Sequence, residues 1–154
     1  MSRTLNHINI VKMYELPFMC LAEGLEKHIA GQKFVAIKTT IPAVRRFFLP
    51  AYEGARYNGN LPELKGKYQK AGGSRRLEFK IHAMVKLKEL YQRATGVNLE
   101  NEREIGIAAV RFLGLLDNLE NQPSLNVKER QQYGSLLQFS RTLLQDPESQ
   151  KMRR

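Results

Sequence analysis

The sequence predicts an all-α protein, a single-domain bundle of five to seven helices with a basic irregular segment near residues 54–74. Three observations predict this class. Apolar residues recur at helical spacing along nearly the whole chain, and no stretch alternates apolar and polar residues over the length of a strand. The 154 residues fit one domain, and the 42% that are hydrophobic are enough for a packed core. Capping and helix-breaking residues separate the periodic stretches.

Two helical stretches are expected before residue 31. The first covers about residues 4–14, and Pro17 should kink or break it because proline lacks an N–H and clashes with the preceding turn. The second covers residues 18–29, with its apolar residues on one face. Gly31 follows it as a helix stop.

A short helix and an irregular segment are expected next. Thr39 and Thr40 are good N-cap residues, and Pro50 limits the length of the helix that they begin. Residues 54–74 are rich in glycine, asparagine and proline, which are turn and breaker signals.

Three further helices are predicted in the second half of the chain. Ser74 caps a long helix that runs to about Ala94 and ends at Gly96. The next helix begins with Asn101 and Glu104, a variant of the capping box.

Two glycines inside that helix, Gly106 and Gly114, are expected to let a neighbouring helix approach closely. A last helix runs from Asn126 to the stop at Asp146 and Pro147.

The net charge of +10 is confined to one part of the chain. Residues 1–96 carry 17 basic and 7 acidic side chains, whereas the rest of the chain carries 8 of each. Within one helical domain, residues 1–154, we therefore expect a basic part over 1–96, a neutral C-terminal helical pair over 97–147 and a tail over 148–154. Charge gathered in this way is typical of a surface that meets a polyanion.

Composition argues against several functional classes. The single cysteine, Cys20, is expected to be a buried small hydrophobic side chain, and it allows neither a disulfide framework nor a cysteine-based zinc site. The three histidines are far apart in the sequence, so no metal site and no cofactor are predicted. No apolar run approaches the length of a membrane span, and no signal-peptide core is present, so a cytoplasmic protein without membrane contact is expected. No catalytic constellation is recognisable, and the protein is not expected to be an enzyme.

The basic residues of the first part predict contacts to a nucleic-acid backbone, because lysine and arginine bind phosphates without reading the base sequence. The predicted binding residues are Arg45, Arg46, Arg56, Lys65, Lys67, Lys70, Arg75, Arg76, Lys80, Lys86 and Arg93. Three interleaved tyrosines, Tyr52, Tyr57 and Tyr68, could stack on exposed bases, with ordinary partial burial as the competing interpretation.

Three short motifs resemble those of the small helical subunit of type III CRISPR effector complexes. Residues 38–48 (KTTIPAVRRFF) resemble its threonine-capped helix with an arginine before aromatics. Residues 52–56 (YEGAR) are similar to its tyrosine followed four residues later by an arginine, and residues 111–116 (RFLGLL) resemble its C-terminal arginine-phenylalanine helix. The interval between the first two motifs is shorter here, and the acidic-aromatic ending of the third is absent.

The resemblance implies a non-catalytic subunit of an antiviral ribonucleoprotein. In that family the subunit stacks along a guide–target duplex beside backbone subunits. The contacts carried over to this chain would be Arg45, Arg46 and Arg56.

Three functional hypotheses follow from the sequence. The leading one is a non-catalytic nucleic-acid-binding subunit of a larger assembly, with RNA favoured over DNA and other protein subunits as partners. The alternative is a helical adaptor that recognises an acidic partner protein. The third is a small enzyme acting on a phosphorylated substrate, with no recognisable catalytic residues. Separately, residues 72–76 (GGSRR) place flexible backbone and two arginines at a helix N-terminus, where they are expected to contact a phosphate but not to form an ATP site.

Overall fold

Five α-helices make up most of the residues that the computed structural model describes, which are 7–34, 38–56, 75–121 and 127–146. No strand occurs within these ranges, so the prediction of an all-α single domain is confirmed. In chain order the helices are α1 (His7–Ile29), α2 (Thr40–Arg56), α3 (Arg75–Thr95), α4 (Glu102–Asn121) and α5 (Val127–Leu144).

The prediction that Pro17 separates two helices is wrong, since α1 runs through it. A proline in a helix interior costs about 3 kcal/mol. Tyr14 lies before it and Phe18 and Leu21 after it, and all three are buried in the same core. Because burying one such side chain contributes roughly 1.5–3 kcal/mol, the shared face offsets the cost of the proline.

Pro50 likewise does not end α2, which continues to Arg56. Phe47 and Phe48 before it and Ala51 after it are fully buried. The first three residues of the predicted irregular segment, 54–56, are therefore helical. The remainder of that segment, 57–74, lies outside the described residues.

The predicted helix ends and caps of the second half are confirmed where the structure describes them. Gly96 follows α3 with a φ of +79°, a left-handed conformation that suits glycine. At the start of α4 the Glu104 amide donates to Asn101 Oδ1 at 3.0 Å. The Glu104 carboxylate accepts from the Glu100 amide at 2.7 Å, one residue earlier than in the usual capping box.

A cluster of fully buried phenylalanines lies at the centre of the bundle, with ring centroids 5.0–5.9 Å apart. Such aromatic pairs add packing energy beyond the area that they bury. The cluster joins α1, α2, α4 and α5, and α3 reaches it through Tyr91, whose ring lies 6.0 Å from Phe112. Its members are Phe18, Phe47, Phe48, Phe112 and Phe139.

Helix α2 is the centre of the packing. It contacts α4 and α3 extensively, and α1 packs mainly on α5. Helices α4 and α5 meet at the core, where the Tyr133 hydroxyl donates to the Leu115 carbonyl at 3.3 Å and the Phe112 and Phe139 ring centroids lie 5.3 Å apart. The grouping of residues 97–147 as a C-terminal pair stays a prediction. The predicted tail, 148–154, lies outside the described residues.

Helices α2 and α4 run antiparallel. Arg45 near the start of α2 meets Asp117 near the end of α4, and Ala55 near the end of α2 meets Gly106 near the start of α4. A Cβ on Gly106 would lie 3.1 Å from the Ala55 Cβ, so this glycine permits the predicted close approach. The same expectation is wrong for Gly114, where an added Cβ would meet nothing within 4 Å.

Candidate nucleic-acid interface

The structure divides the predicted phosphate-binding residues into three groups. One group forms ion pairs inside the molecule: Arg45, Lys80, Lys86 and Arg93. A second group is exposed: Arg46 and Arg56. The side chains of the third group lie outside the described part of the chain, although Arg75 and Arg76 begin α3: Lys65, Lys67, Lys70, Arg75 and Arg76. Of the predicted stacking tyrosines, Tyr52 is described, and Tyr57 and Tyr68 are not.

Lys86 differs most from its predicted role. Its side chain is 1% exposed, and its Nζ lies 2.9 Å from Oδ2 of Asp146, which is also 1% exposed. The same carboxylate oxygen accepts from Arg93 at 3.1 Å. A lysine at this depth cannot reach a phosphate in solution, so Lys86 belongs to the packing of α3 and not to a binding surface.

Residue spacing along α3 does not by itself distinguish Lys86 from an exposed cation. Lys86 and Arg93 are seven residues apart and therefore lie on the same side of the helix. That side also carries Ala83 and Leu90, which are buried. The aliphatic part of the lysine side chain is therefore buried with them. Its ammonium group pairs with Asp146, which lies two residues after the end of α5.

Arg45 and Lys80 are also engaged within the molecule. Arg45 lies 2.6 Å from the Glu120 carboxylate and 2.9 Å from the Asp117 carboxylate. The hydrogen bond to Glu120 is the main cause that raises the pKa of Arg45 above its ordinary value. Lys80 lies 3.3 Å from Glu53.

These contacts change the interpretation of the segregated charge. Asp117, Glu120 and Asp146 come from the neutral C-terminal part of the sequence, yet they bind cations of the basic part. The separation along the sequence is therefore only partly a separation in space.

The side chains of Tyr52 and Arg56 contact each other. The Arg56 guanidinium donates to the Tyr52 hydroxyl at 3.1 Å and lies 5.4 Å from the centroid of its ring. This is a cation–π contact, and it covers a ring that was expected to stack on bases.

An open basic surface lies between α1 and the beginning of α2. Two depressions of about 490 and 280 Å³ adjoin there, since Cys20 and Thr40 line both. Their basic residues are exposed: Lys27 from α1, Lys33 and Lys38 from the connection, and Arg46 from α2. We call this surface the basic groove, defined by Lys27, Lys33, Lys38 and Arg46.

The charge of the basic groove is not neutralised within the described residues. None of its four cations lies within ion-pair distance of a described carboxylate, and Glu23 is the one acidic residue among those that line the two depressions. The first turn of α2 carries no acidic residue. Its helix dipole therefore adds positive potential at the end where Thr39 and Thr40 line the groove.

Sequence reasoning found only Arg46 of the four. Lys27 lies at the end of α1, and Lys33 and Lys38 lie in the connection after it, so no helical spacing connects the three. The Phe34 ring occupies the space that a side chain at Gly24 would fill, and this contact holds the connection at Lys33 against α1. Cys20, expected to be buried, is only half-buried and lines the groove.

Other kinds of site are not found among the described residues. They contain no group of three histidine, cysteine or carboxylate side chains that could hold a metal ion. Among the same residues, no helix has both the length and the hydropathy required to cross a membrane. Comparison with known proteins gave no matching family model, no matching curated protein and no matching solved structure.

Proposed function

We propose that this chain is a non-catalytic nucleic-acid-binding subunit of a larger assembly, with RNA as the favoured ligand, and that the basic groove contacts the phosphate backbone. The observation that carries the proposal is the contrast in how cations are used. Four predicted contacts are neutralised inside the fold, whereas the four cations of the groove are exposed and without a carboxylate partner among the described residues.

The lining of the groove favours backbone contact over base recognition. Phosphate binding needs cations, hydroxyls and amide donors, whereas recognition of single-stranded bases uses exposed aromatic faces. The groove offers the four cations and the exposed Thr39, and its one aromatic residue, Phe34, is buried. The Thr39 hydroxyl can bond a phosphate oxygen of either nucleic acid, or a ribose 2′-hydroxyl, which is present in RNA alone.

The resemblance to the small subunit of type III CRISPR effector complexes gives the proposal its narrowest form, a subunit that lies along a guide–target duplex. Of the three carried-over arginines, Arg46 lies in the basic groove. Arg45 is bound to α4, and Arg56 lies at the other end of α2. In this narrower form Arg46 is the contact to the duplex backbone.

The test is a titration of fluorescein-labelled RNA, single-stranded or duplex, followed by fluorescence anisotropy at 50–200 mM salt. The affinity should fall steeply with salt, because each phosphate contact releases counterions. Arg46→Glu should weaken binding by about tenfold at the lowest salt and should lower the slope of log K against log salt by about 0.7–0.9, the value for one lost phosphate contact.

The matched control is Arg111→Glu. Arg111 is exposed on α4, has no carboxylate at ion-pair distance among the described residues, and its substitution changes the net charge by the same two units. If the two variants weaken binding equally, only net charge matters and the groove is not the site. If the wild-type chain does not bind at 50 mM salt, the proposed function is wrong. The same titration with DNA decides whether RNA is preferred.

A further inference from the structure

A second depression, of about 580 Å³, lies at the opposite end of α2 from the basic groove. It is formed where the end of α2 crosses the beginning of α4. We call it the apolar groove. Its apolar and aromatic lining is Tyr52, Ala55, Gly106, Ile107 and Val110, and its polar lining is Arg56, Asn101, Glu102 and Arg103.

Helix α4 is apolar on two faces. Ile105, Ala109 and Phe112 are buried in the core. On the outside Ile107 is 59% exposed and Val110 is 48% exposed. Because contiguous exposed apolar side chains add nothing to the core and favour association, this outer face is a candidate contact surface.

The charged residues of the apolar groove are two arginines and one glutamate, Glu102, which leaves one net positive charge. Arg103 lies four residues before Ile107, on the same outer face of α4, and Arg56 stands across the groove on α2. Neither arginine has a carboxylate at ion-pair distance among the described residues. Arg56 is held in place by its hydrogen bond to Tyr52.

We infer that the apolar groove docks an amphipathic helix of a partner protein, with aliphatic residues that contact Ile107 and Val110 and with carboxylates beside them that pair with Arg56 and Arg103. Helix-in-groove recognition has this chemistry, an apolar stripe that fixes the position and flanking charges that fix the partner. The close approach of α2 and α4 at Gly106 leaves a concave surface between two helices, on which a third helix can pack.

The lining favours this occupant over RNA. Nucleobases bind exposed surfaces by stacking on aromatic faces. Ala55, Ile107 and Val110 are aliphatic, and the Tyr52 ring is covered by Arg56. The inference rests on the part of the proposed function that places the chain in an assembly, and it is independent of RNA binding.

The probe is a labelled 18-residue helical peptide with leucines at positions i, i+3, i+4 and i+7 and glutamates on both flanks of that stripe. A second peptide carries lysine in place of each glutamate. Anisotropy titration should show the acidic peptide bound at least about tenfold more tightly than the lysine peptide. Arg103→Glu should lower the affinity for the acidic peptide and raise the affinity for the lysine peptide. A general loss of structure cannot produce this reversal.

The apolar contact is tested with the double variant Ile107→Asp and Val110→Asp. Its affinity for the acidic peptide should be lower by at least about tenfold, because the central apolar anchor of the interface is lost. Both residues are about half exposed or more, so the fold should tolerate the change. The matched control is Met13→Asp combined with Leu16→Asp, two residues of α1 that are 56% and 65% exposed. That variant should bind the acidic peptide as the wild-type chain does.

Several outcomes would overturn the inference: no binding of the acidic peptide at millimolar concentration, equal affinity for both peptides, or equal losses in the two aspartate variants. If RNA perturbs the amide NMR signals of Ile107 and Val110, this surface binds RNA. If the chain sediments as a dimer that Ile107→Asp dissociates, a second copy occupies the surface. The RNA affinity of the Ile107→Asp and Val110→Asp variant should be unchanged. Failure of the docking site and failure of the proposed function are therefore separate results.

Discussion

Arg45 and Arg46 are neighbours in the sequence, and the fold uses them in opposite ways. Arg45 is bound by two carboxylates of α4, whereas Arg46 is exposed in the basic groove. Adjacent residues on a helix point about 100° apart, because one turn takes 3.6 residues. The rotation of α2 therefore decides which of the two cations supports the fold and which remains open to a ligand.

The same division holds for the larger sets. The paired cations connect separate parts of the fold. Arg45 and Lys80 each join one helix to another, and Lys86 and Arg93 link α3 to Asp146. The groove cations lie where α1 ends and α2 begins, and Glu23 is the one acidic residue among those that line the two depressions. A charge count along the sequence cannot separate the two sets, since both contribute to the same excess. The two sets should respond differently to substitution, in stability for the first and in RNA binding for the second.

The largest effect is expected for Asp146→Ala. Removing one member of a buried ion pair leaves Lys86 without its main counter-charge, which typically costs 3–5 kcal/mol. Urea denaturation should show a loss of about that size in the free energy of unfolding. Glu89→Gln is the control, because Glu89 also lies near Lys86 and Arg93 but is 48% exposed. It should cost less than about 1 kcal/mol. Equal losses in the two variants would show that burial does not distinguish these contacts.

The next effect concerns the wall of the basic groove. A Cβ at Gly24 would overlap the Phe34 ring, so Gly24→Ala should destabilise by about 1–3 kcal/mol through overpacking. It should also weaken RNA binding, because Phe34 holds the adjacent Lys33 at the groove. Gly114→Ala is the control, since the space around Gly114 is open and alanine is the better helix former by up to about 1 kcal/mol. A stable Gly24→Ala variant with wild-type RNA affinity would contradict this account of the groove.

A smaller effect should come from releasing Arg45. Glu120→Gln removes a partly exposed partner and should cost less than about 1 kcal/mol in stability, an effect that added salt should reduce. It should raise RNA affinity at low salt, because a cation beside the groove loses an anion. Glu53→Gln removes the same charge further along α2, eight residues or about 12 Å of helical rise beyond Arg45. RNA affinities that rise equally in both variants would show that location along α2 has no influence.

The features that the sequence predicted well are local ones. The Asn101 cap and the stop at Gly96 depend on residues within one turn, and both occur in the structure. The inward face of α4 depends only on the 3.6-residue period of its apolar residues, and Ile105, Ala109 and Phe112 on that face are buried.

The features that the sequence missed depend on contacts between distant segments. Pro17 and Pro50 remain helical because the residues on both sides of each proline are buried together, and a local rule does not include that energy. Lys86 is buried because Asp146 reaches it from sixty residues further along the chain. Three of the four groove cations were missed for another reason, since Lys27, Lys33 and Lys38 lie at the end of α1 and in an irregular connection, where no periodic spacing links them.

The last effect concerns Tyr14, which contacts Arg46 of the basic groove. Its hydroxyl donates to the Arg46 carbonyl at 3.0 Å. Burial raises the pKa of Tyr14 above its ordinary value near 10, and the charge of Arg46 partly opposes that rise. The folded state therefore favours the neutral phenol. This contribution to stability is complete below the pKa of the unfolded chain, about 10, and is lost as the pH rises through the folded-state pKa.

Melting temperatures measured from pH 8 to pH 11.5 should fall more steeply for the wild-type chain than for Tyr14→Phe. The variant should be less stable by about 1 kcal/mol at pH 8, where it lacks one hydrogen bond, and that deficit should shrink as the pH rises. Arg46→Gln removes the opposing charge, so ultraviolet titration at 295 nm should place the ionisation of Tyr14 at a higher pH than in the wild-type chain. Parallel melting curves for the wild type and Tyr14→Phe would mean that the charged phenolate is tolerated beside Arg46. Arg46 would then stabilise the Tyr14 phenolate as well as a phosphate of the RNA.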